Sequence, residues 1–346
     1  MAFDLLSYET VLEKLPQRKH LLLGNGFSIS CDPIFSYANL FEYVKNQGLS
    51  LNVQKVFEYL GTNNFEGVMK MLEDVETVRH FYNLEYKDKK IQTILEDLDI
   101  VKSSLINAIA RTHLPHSGKI DEEKKGHCVK FLKPYQNIFT TNYDLLLYWI
   151  SMHGHVELQE RDGFRASIDD PEAEYLVFSE HLGQNKGMLF LHGALHLYME
   201  EGELRKHSWI RSNKTLIELI KEGLDRKQYP LFVAEGKPEK KLDQIHKNGY
   251  LSYCLGKLER IQNALVIYGM SLGQSDSHIL NTIADNLKID NLFVGLYGSP
   301  NSKENQLIGQ MAEGLKSRRK RWLDRNKGGR ELFVHYYDSS TAKVWG

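Results

Sequence analysis

The sequence predicts an α/β protein, with one Rossmann-like parallel sheet of about six strands interrupted by two large, mainly helical insertions. Three observations predict it. Compact apolar runs recur along the chain, each reading as a short buried strand. Long segments with apolar residues at three- and four-residue spacing separate them. Four of the runs also end abruptly in glycine or small polar residues. Strands of an open parallel sheet do so at their carboxyl edge, where such folds bind ligands. With 346 residues the chain can form one large domain with insertions or two domains. The strand pattern favours a single domain over residues 1–346.

Residues 4 to 15 read as a short amphipathic helix ending at Pro16. Lys19 to Leu23 is the first compact strand, and it runs directly into Gly24-Asn25-Gly26-Phe27-Ser28-Ile29. Paired glycines after a strand let backbone N–H groups approach a pyrophosphate, although a tight turn that needs glycine accounts for an isolated GxG equally well. The dehydrogenase fingerprint fails here, because Ile29 stands where its third glycine belongs. From about residue 35 to 132 the pattern is helical nearly throughout. Phe65, Val68, Met69, Leu72, Val75 and Val78 form one stripe, and Ile91, Ile94, Leu95, Leu98, Val101, Leu105 and Ile109 form another. These are expected to face a core, within a helical insertion spanning 35–132. His113 and His116 lack an acid or cysteine to complete a metal set, and a surface loop around Pro115 is expected there.

Ile138 and Phe139 end the next strand, and Thr140-Thr141-Asn142-Tyr143-Asp144 follows before a helical pattern opens at Leu145. Asn142 or Asp144 would serve as a helix cap, but one cap does not call for a run of polar residues. Residues 154 to 186 are mixed and acidic and read as loops with short strands. Met188 to Leu191 is another strand, ending in His192-Gly193. His192 is either a satisfied core histidine or a functional group at the sheet edge. His196, four residues on, makes a poor zinc signal without a helix or a third ligand. Residues 195–262 read as the second insertion, with a hairpin, a helix near Leu216 to Leu224 and a long charged helix from about Lys240 to Ile261.

Ala264 to Tyr268 resumes the sheet and gives way to Gly269-Met270-Ser271-Leu272-Gly273, with Ser275 or Asp276 opening a helix. Backbone donors and a hydroxyl at a helix N-terminus suit phosphate. Asn291 to Tyr297 and Glu331 to Tyr337 complete the strands, separated by a helix near Glu304 to Leu315. The segment 316–330 carries Lys316, Arg318, Arg319, Lys320, Arg321, Arg325, Lys327 and Arg330. It reads as a solvated helix face, with contact to a partner or RNA as the alternative.

Composition narrows the classes. The 44 basic and 45 acidic residues nearly cancel, which argues against strong attraction to nucleic acid or anionic membrane. No apolar run is long enough to span a membrane. Residues 1–14 lack the features of a secretory leader, so a cytoplasmic protein is expected. Cys31, Cys128 and Cys254 are widely spaced and form no CxxC pair, so neither a disulfide scaffold nor a cysteine zinc site is expected.

Four motifs in this order, G-x-G-x-S (24–28), T-T-N-Y-D (140–144), H-G (192–193) and G-x-S (269–271), resemble the sirtuin-like NAD-consuming superfamily. The chain looks most similar to its bacterial NAD-hydrolase branch associated with anti-phage defence. The resemblance runs from Leu21 to about Ile279 and leaves out both insertions. It departs from the sirtuins proper, whose four-cysteine zinc module this chain cannot build. The resemblance implies NAD as substrate and no metal. It implies that Asn142 holds the nicotinamide ribose and a water, that His192 is the general base, and that Asp144 orients the nicotinamide end. The dinucleotide would lie on Gly24, Asn25, Gly26, Phe27, Ser28, Thr141, Gly269 and Ser271, with Asp276 beside them unless it merely caps its helix. The chemistry is consistent, since a neutral amine leaves a cationic glycoside without an acid's help, and the useful residue is a base such as histidine. The implied activity is an NAD+ glycohydrolase acting as a regulated NAD-depleting effector, with a regulatory protein or a second copy of the chain as partner. Alternatives are an NAD-dependent deacylase and a non-catalytic NAD or ADP-ribose sensor.

Overall fold

Twelve strands lie along the described part of the chain: β1 (Leu5–Leu6), β2 (Lys19–Leu23), β3 (Asn137–Thr140), β4 (Phe164–Ala166), β5 (Tyr175–Phe178), β6 (Gly187–Phe190), β7 (Gly193–Glu200), β8 (Glu203–His207), β9 (Pro230–Phe232), β10 (Asn263–Tyr268), β11 (Ile289–Leu296) and β12 (Phe333–Asp338). They come from a computed structural model that describes residues 3–82, 85, 88–159, 162–180, 186–210, 212–326 and 328–346. Seven strands form one sheet in the order β1-β12-β11-β10-β2-β3-β6, and every pairing in it is parallel. Counted from β2, its six longer strands lie in the order 3-2-1-4-5-6. That is a Rossmann-like doubly wound sheet whose winding reverses between β2 and β10. Leu21 to Leu23 and Ala264 to Ile267 are fully or almost fully buried, as strands covered by helices on both faces must be.

The expected six strands become seven because the N-terminal segment is not wholly helical. Leu5 and Leu6 pair with Tyr336 and Tyr337 at the sheet edge. Ser7 then caps a helix over Tyr8–Lys14 by accepting the Thr10 N–H at 3.1 Å. Two residues are too short a run for alternation to reveal.

The first insertion is helical, with helices at Tyr37–Gln47, Leu51–Leu60, Phe65–Phe81, Lys89–Thr112 and Glu122–Leu132. The stripe through Phe65, Val68, Met69 and Leu72 is buried, but it runs out of core at Val78, which is half exposed. The second insertion is less helical than expected. The short strands expected within 154–186 are β4 and β5, and they join the hairpin β7–β8 and β9 in one antiparallel sheet in the order β4-β5-β8-β7-β9. The long charged helix is two helices, Pro238–Lys247 and Gly249–Arg260. Asn248 leaves the helical conformation between them and caps the second by accepting the Leu251 N–H.

The basic segment begins in a helix over Lys303–Leu323, and Lys316, Arg318, Lys320, Arg321, Arg325 and Arg330 are exposed as a solvated face, whereas Arg319 turns into the fold. Arg319 is 1% exposed and donates to the carbonyls of Ile283, Ala284, Asn286, Ile289 and Arg330. Arg318 grips Asp285 with two bonds of 2.7 Å, and Arg330 pairs with Asp290. Lys327 lies outside the described residues. No described helix is long and apolar enough to cross a membrane.

Candidate functional site

A cavity of about 580 Å³ opens at the carboxyl ends of the strands, where the winding reverses. The loops after β2, β3, β6 and β10 all reach it. Gly24, Asn25, Gly26, Thr141, Asn142, Asp144, His192, Gly269, Ser271 and Asp276 line it together, as the motif order leads one to expect. Phe27 and Ser28 do not. Phe27 is buried against Trp345 behind the wall, and Ser28 is buried beneath Asn142.

Each residue of the turn after β3 has a separate task. The Thr140 hydroxyl accepts the Asn142 N–H at 3.0 Å, which shapes the turn. Thr141 N–H donates to the Leu23 carbonyl, continuing the ladder to β2. The Asn142 amide nitrogen donates to the Gly24 carbonyl at 3.1 Å and to Ser28 Oγ at 2.8 Å. Both its hydrogens are thereby used, and its carbonyl oxygen is the polar atom left for a ligand. The Tyr143 hydroxyl donates to the Val233 carbonyl at 2.6 Å, tying the turn to the second insertion. Asp144 accepts from Ser28 Oγ at 2.5 Å and from the Leu146 N–H at 2.9 Å. Asp144 is therefore both a helix cap and the anchor of the Ser28–Asn142 chain. Burial pushes its carboxyl above the usual range, partly offset by the Ser28 hydroxyl and the Leu146 N–H.

The paired glycines have a structural cause. Gly26 N–H donates to the Gly269 carbonyl at 2.7 Å, and Gly24 N–H donates to the Tyr268 carbonyl at 3.0 Å. A Cβ on Gly26 would lie 2.6 Å from Gly269 Cα, and Gly269 has φ +68°. The two glycine loops touch backbone to backbone across the switch point. The N–H groups of Phe27 and Ser28 also go to backbone carbonyls, those of Gly24 and Asn25. The first loop is thus a packed turn whose amides at positions 24, 26, 27 and 28 are already paired. That packing accounts for the glycines by itself, so the reading of the loop as a phosphate cradle rests on the resemblance alone.

His192 lies on the opposite wall, 2% exposed. Its Nε2 is 3.0 Å from Nε2 of His278 and 3.9 Å from Asp276 Oδ1, and the two imidazoles are stacked with centroids 5.2 Å apart. Asp276 makes no capping bond to the helix that begins at Ser277. Its carboxylate instead meets the fully buried ammonium of Lys241 at 3.2 Å, which also meets Glu66 at 2.8 Å. Glu66 comes from the first insertion, Lys241 from the second and Asp276 from the Rossmann sheet. Burial, then the Lys241 ammonium and His278, hold the His192 imidazole well below its usual pKa, so it is neutral near pH 7. Burial likewise brings His278 to about 4, with Lys241 lowering it further and Asp276 and the Ser275 carbonyl opposing.

Sequence reasoning missed Glu66, Lys241 and His278, because three distant segments supply them and none sits at a strand exit. It also misplaced His113, which is 4% exposed and not in a surface loop. His113 Nδ1 pairs with the Leu114 carbonyl, and Nε2 accepts the Leu145 N–H at 3.0 Å. A neutral imidazole from the insertion therefore supports the helix that follows Asp144. His192, Asp276 and His278 bring potential ligand atoms within 4.8 Å of one another, a grouping the sequence spacing did not suggest. The Lys241 ammonium already occupies Asp276 Oδ1, so a divalent cation would have to displace a buried positive charge.

The remaining walls are apolar. Phe35, Leu40, Leu105 and Ile109 of the first insertion roof the cavity. Residues 21–345 match the family described as a domain of unknown function, DUF4917. The chain belongs to that family. Its match takes in both insertions and every residue of the cavity, and of the sheet leaves out only β1 and the first two residues of β2. No curated protein matches the chain.

Proposed function

We propose that this protein hydrolyses the nicotinamide–ribose bond of NAD+, releasing nicotinamide and ADP-ribose. One observation carries the reading: four strand exits bring Asn142 and His192 to one cavity at the switch point, where doubly wound sheets bind nucleotides. The volume falls within the range of small-molecule sites, and its walls divide into an apolar roof and a polar floor. Nicotinamide leaves as a neutral amine, so the chain needs no acid to protonate it. Asn142 offers its carbonyl oxygen to a ribose hydroxyl or the attacking water, held in place by Gly24 and Ser28. His192 takes the proton from water or the ribose hydroxyl. That role selects the tautomer in which His192 donates Nε2–H to His278, leaving Nδ1 as the basic atom.

The sirtuin-like motif order supports the same reading and extends it to an NAD-depleting defence effector held in check by a partner protein or self-assembly. Incubating the purified protein with NAD+, and following nicotinamide by chromatography, tests the reaction. Persistence of intact NAD+, alone and with a co-encoded partner, would refute it.

A further inference from the structure

A dinucleotide brings negative charge that the first glycine loop's amides at positions 24, 26, 27 and 28, paired within the fold, cannot meet. A different part of the cavity can. Ser271 and Ser275 flank Gly273, where an added Cβ would lie 3.4 Å and 3.7 Å from their hydroxyl oxygens. Both hydroxyls therefore border the same open patch of backbone. Lys70 reaches this patch from the first insertion, with Nζ 3.4 Å from Gln274 Oε1. It is the one lysine or arginine among the described residues lining the cavity, and no described carboxylate pairs with it. The nearby acids are engaged elsewhere, Glu66 and Asp276 by Lys241, and Asp144 by Ser28 and Leu146.

Lys70 also sits on a pinned element. Gly236 packs so closely that a Cβ there would come within 2.1 Å of the Lys70 backbone nitrogen. The buried Glu73 carboxylate, one turn along the same helix, accepts the N–H groups of Gly236 and Lys237 at 3.2 and 3.1 Å. The ammonium is aimed from a fixed backbone, as a preorganised binding group must be.

We propose that Lys70, with the Ser271 and Ser275 hydroxyls and the Gln274 amide, forms the phosphate subsite, seating a diphosphate between the second glycine loop and the helical insertion. This rests on the nucleotide reading above and assigns its charge recognition to an insertion that the shared motifs leave out. The experiment compares parent, Lys70→Ala and Lys70→Arg in two assays. Calorimetry measures binding of ADP-ribose and of inorganic pyrophosphate at low and high salt. Kinetics compares NAD+ with nicotinamide riboside, which has no diphosphate. Lys70→Ala should weaken ADP-ribose and pyrophosphate binding roughly tenfold or more, as loss of a charge-assisted hydrogen bond does. The difference should shrink with salt. It should raise KM for NAD+ with kcat within a few-fold and leave the riboside unchanged, while Lys70→Arg restores part of the affinity. Parent-like binding by a folded Lys70→Ala, or a parent that binds neither ligand, would overturn the proposal. Lys70-dependent binding without any NAD+ cleavage would uphold the subsite and defeat the hydrolase reading instead.

Discussion

Asn142 illustrates how a site residue is held before any ligand arrives. Its amide hydrogens anchor it to Gly24 and Ser28, and Ser28 is itself anchored by Asp144. Asn142→Ala should therefore abolish turnover and also destabilise the fold by about 1–3 kcal/mol, because Ser28 Oγ and the Gly24 carbonyl lose a buried donor. Denaturant titration checks the stability and nicotinamide release the activity. His192→Ala removes a buried ring and the partner of His278 Nε2, so it too should lower stability, and it should cost about 10²–10⁴ in rate. The Lys241 ammonium makes a sharper test. Burial first, and then this ammonium, disfavour a positive charge on His192, so the neutral base persists to low pH and the acidic limb of the rate profile lies below that of free histidine. Lys241→Met removes that charge and leaves two carboxylates that favour imidazolium. The acidic limb should then move to higher pH, and an unmoved limb would disconnect Lys241 from the base.

Loops and helices explain which glycines and charges are exchangeable. Gly26 and Gly269 meet backbone to backbone, so a single methyl on Gly26 has nowhere to go. Gly26→Ala should cost about 1–3 kcal/mol through forced separation of the two loops. Reduced denaturation midpoint and reduced activity should appear together, whereas a phosphate-donor role alone would spare stability. The motif G-x-G is thus legible as a requirement for glycine, but the sequence cannot say whether a ligand or a second loop demands it. Only the approach of β10 decides. The basic helix behaves likewise, since its least exposed member, Arg319, satisfies five carbonyls and ties the end of the helix over Ser277–Asp285 to the start of β11 and to Arg330.

Across the whole molecule, neutral buried histidines govern the response to acid. Burial holds His20, His113, His207 and His278 at about 4, below the value near 6.5 they regain on unfolding. Between those values the unfolded chain binds more protons than the native one, so stability is full above about pH 6.5 and is lost as pH falls toward 4. Asp144, held above its usual range, works in the opposite sense and only partly offsets this. The melting temperature should drop steadily from pH 7 to pH 4.5, with proton uptake on unfolding measurable by calorimetry in buffers of different ionisation enthalpy. A flat profile across that interval would contradict the burial of these rings.

The sequence by itself determined the α/β class, the six longer strands, the helical character of the first insertion and the four exits at one sheet edge. Those follow from local rules, because apolar runs, periodicity and glycine act over a few residues. The tertiary structure decided the rest. It joined the short strands of 154–186 to the hairpin and β9 as one antiparallel sheet, drew Glu66, Lys241, Asp276 and His278 around His192, and turned His113 inward beneath the turn after β3. Pairings between residues tens to hundreds of positions apart leave no periodic trace along the chain. They arise only when burial brings charges together that must then satisfy one another, as Lys241 does for two carboxylates supplied by separate parts of the fold.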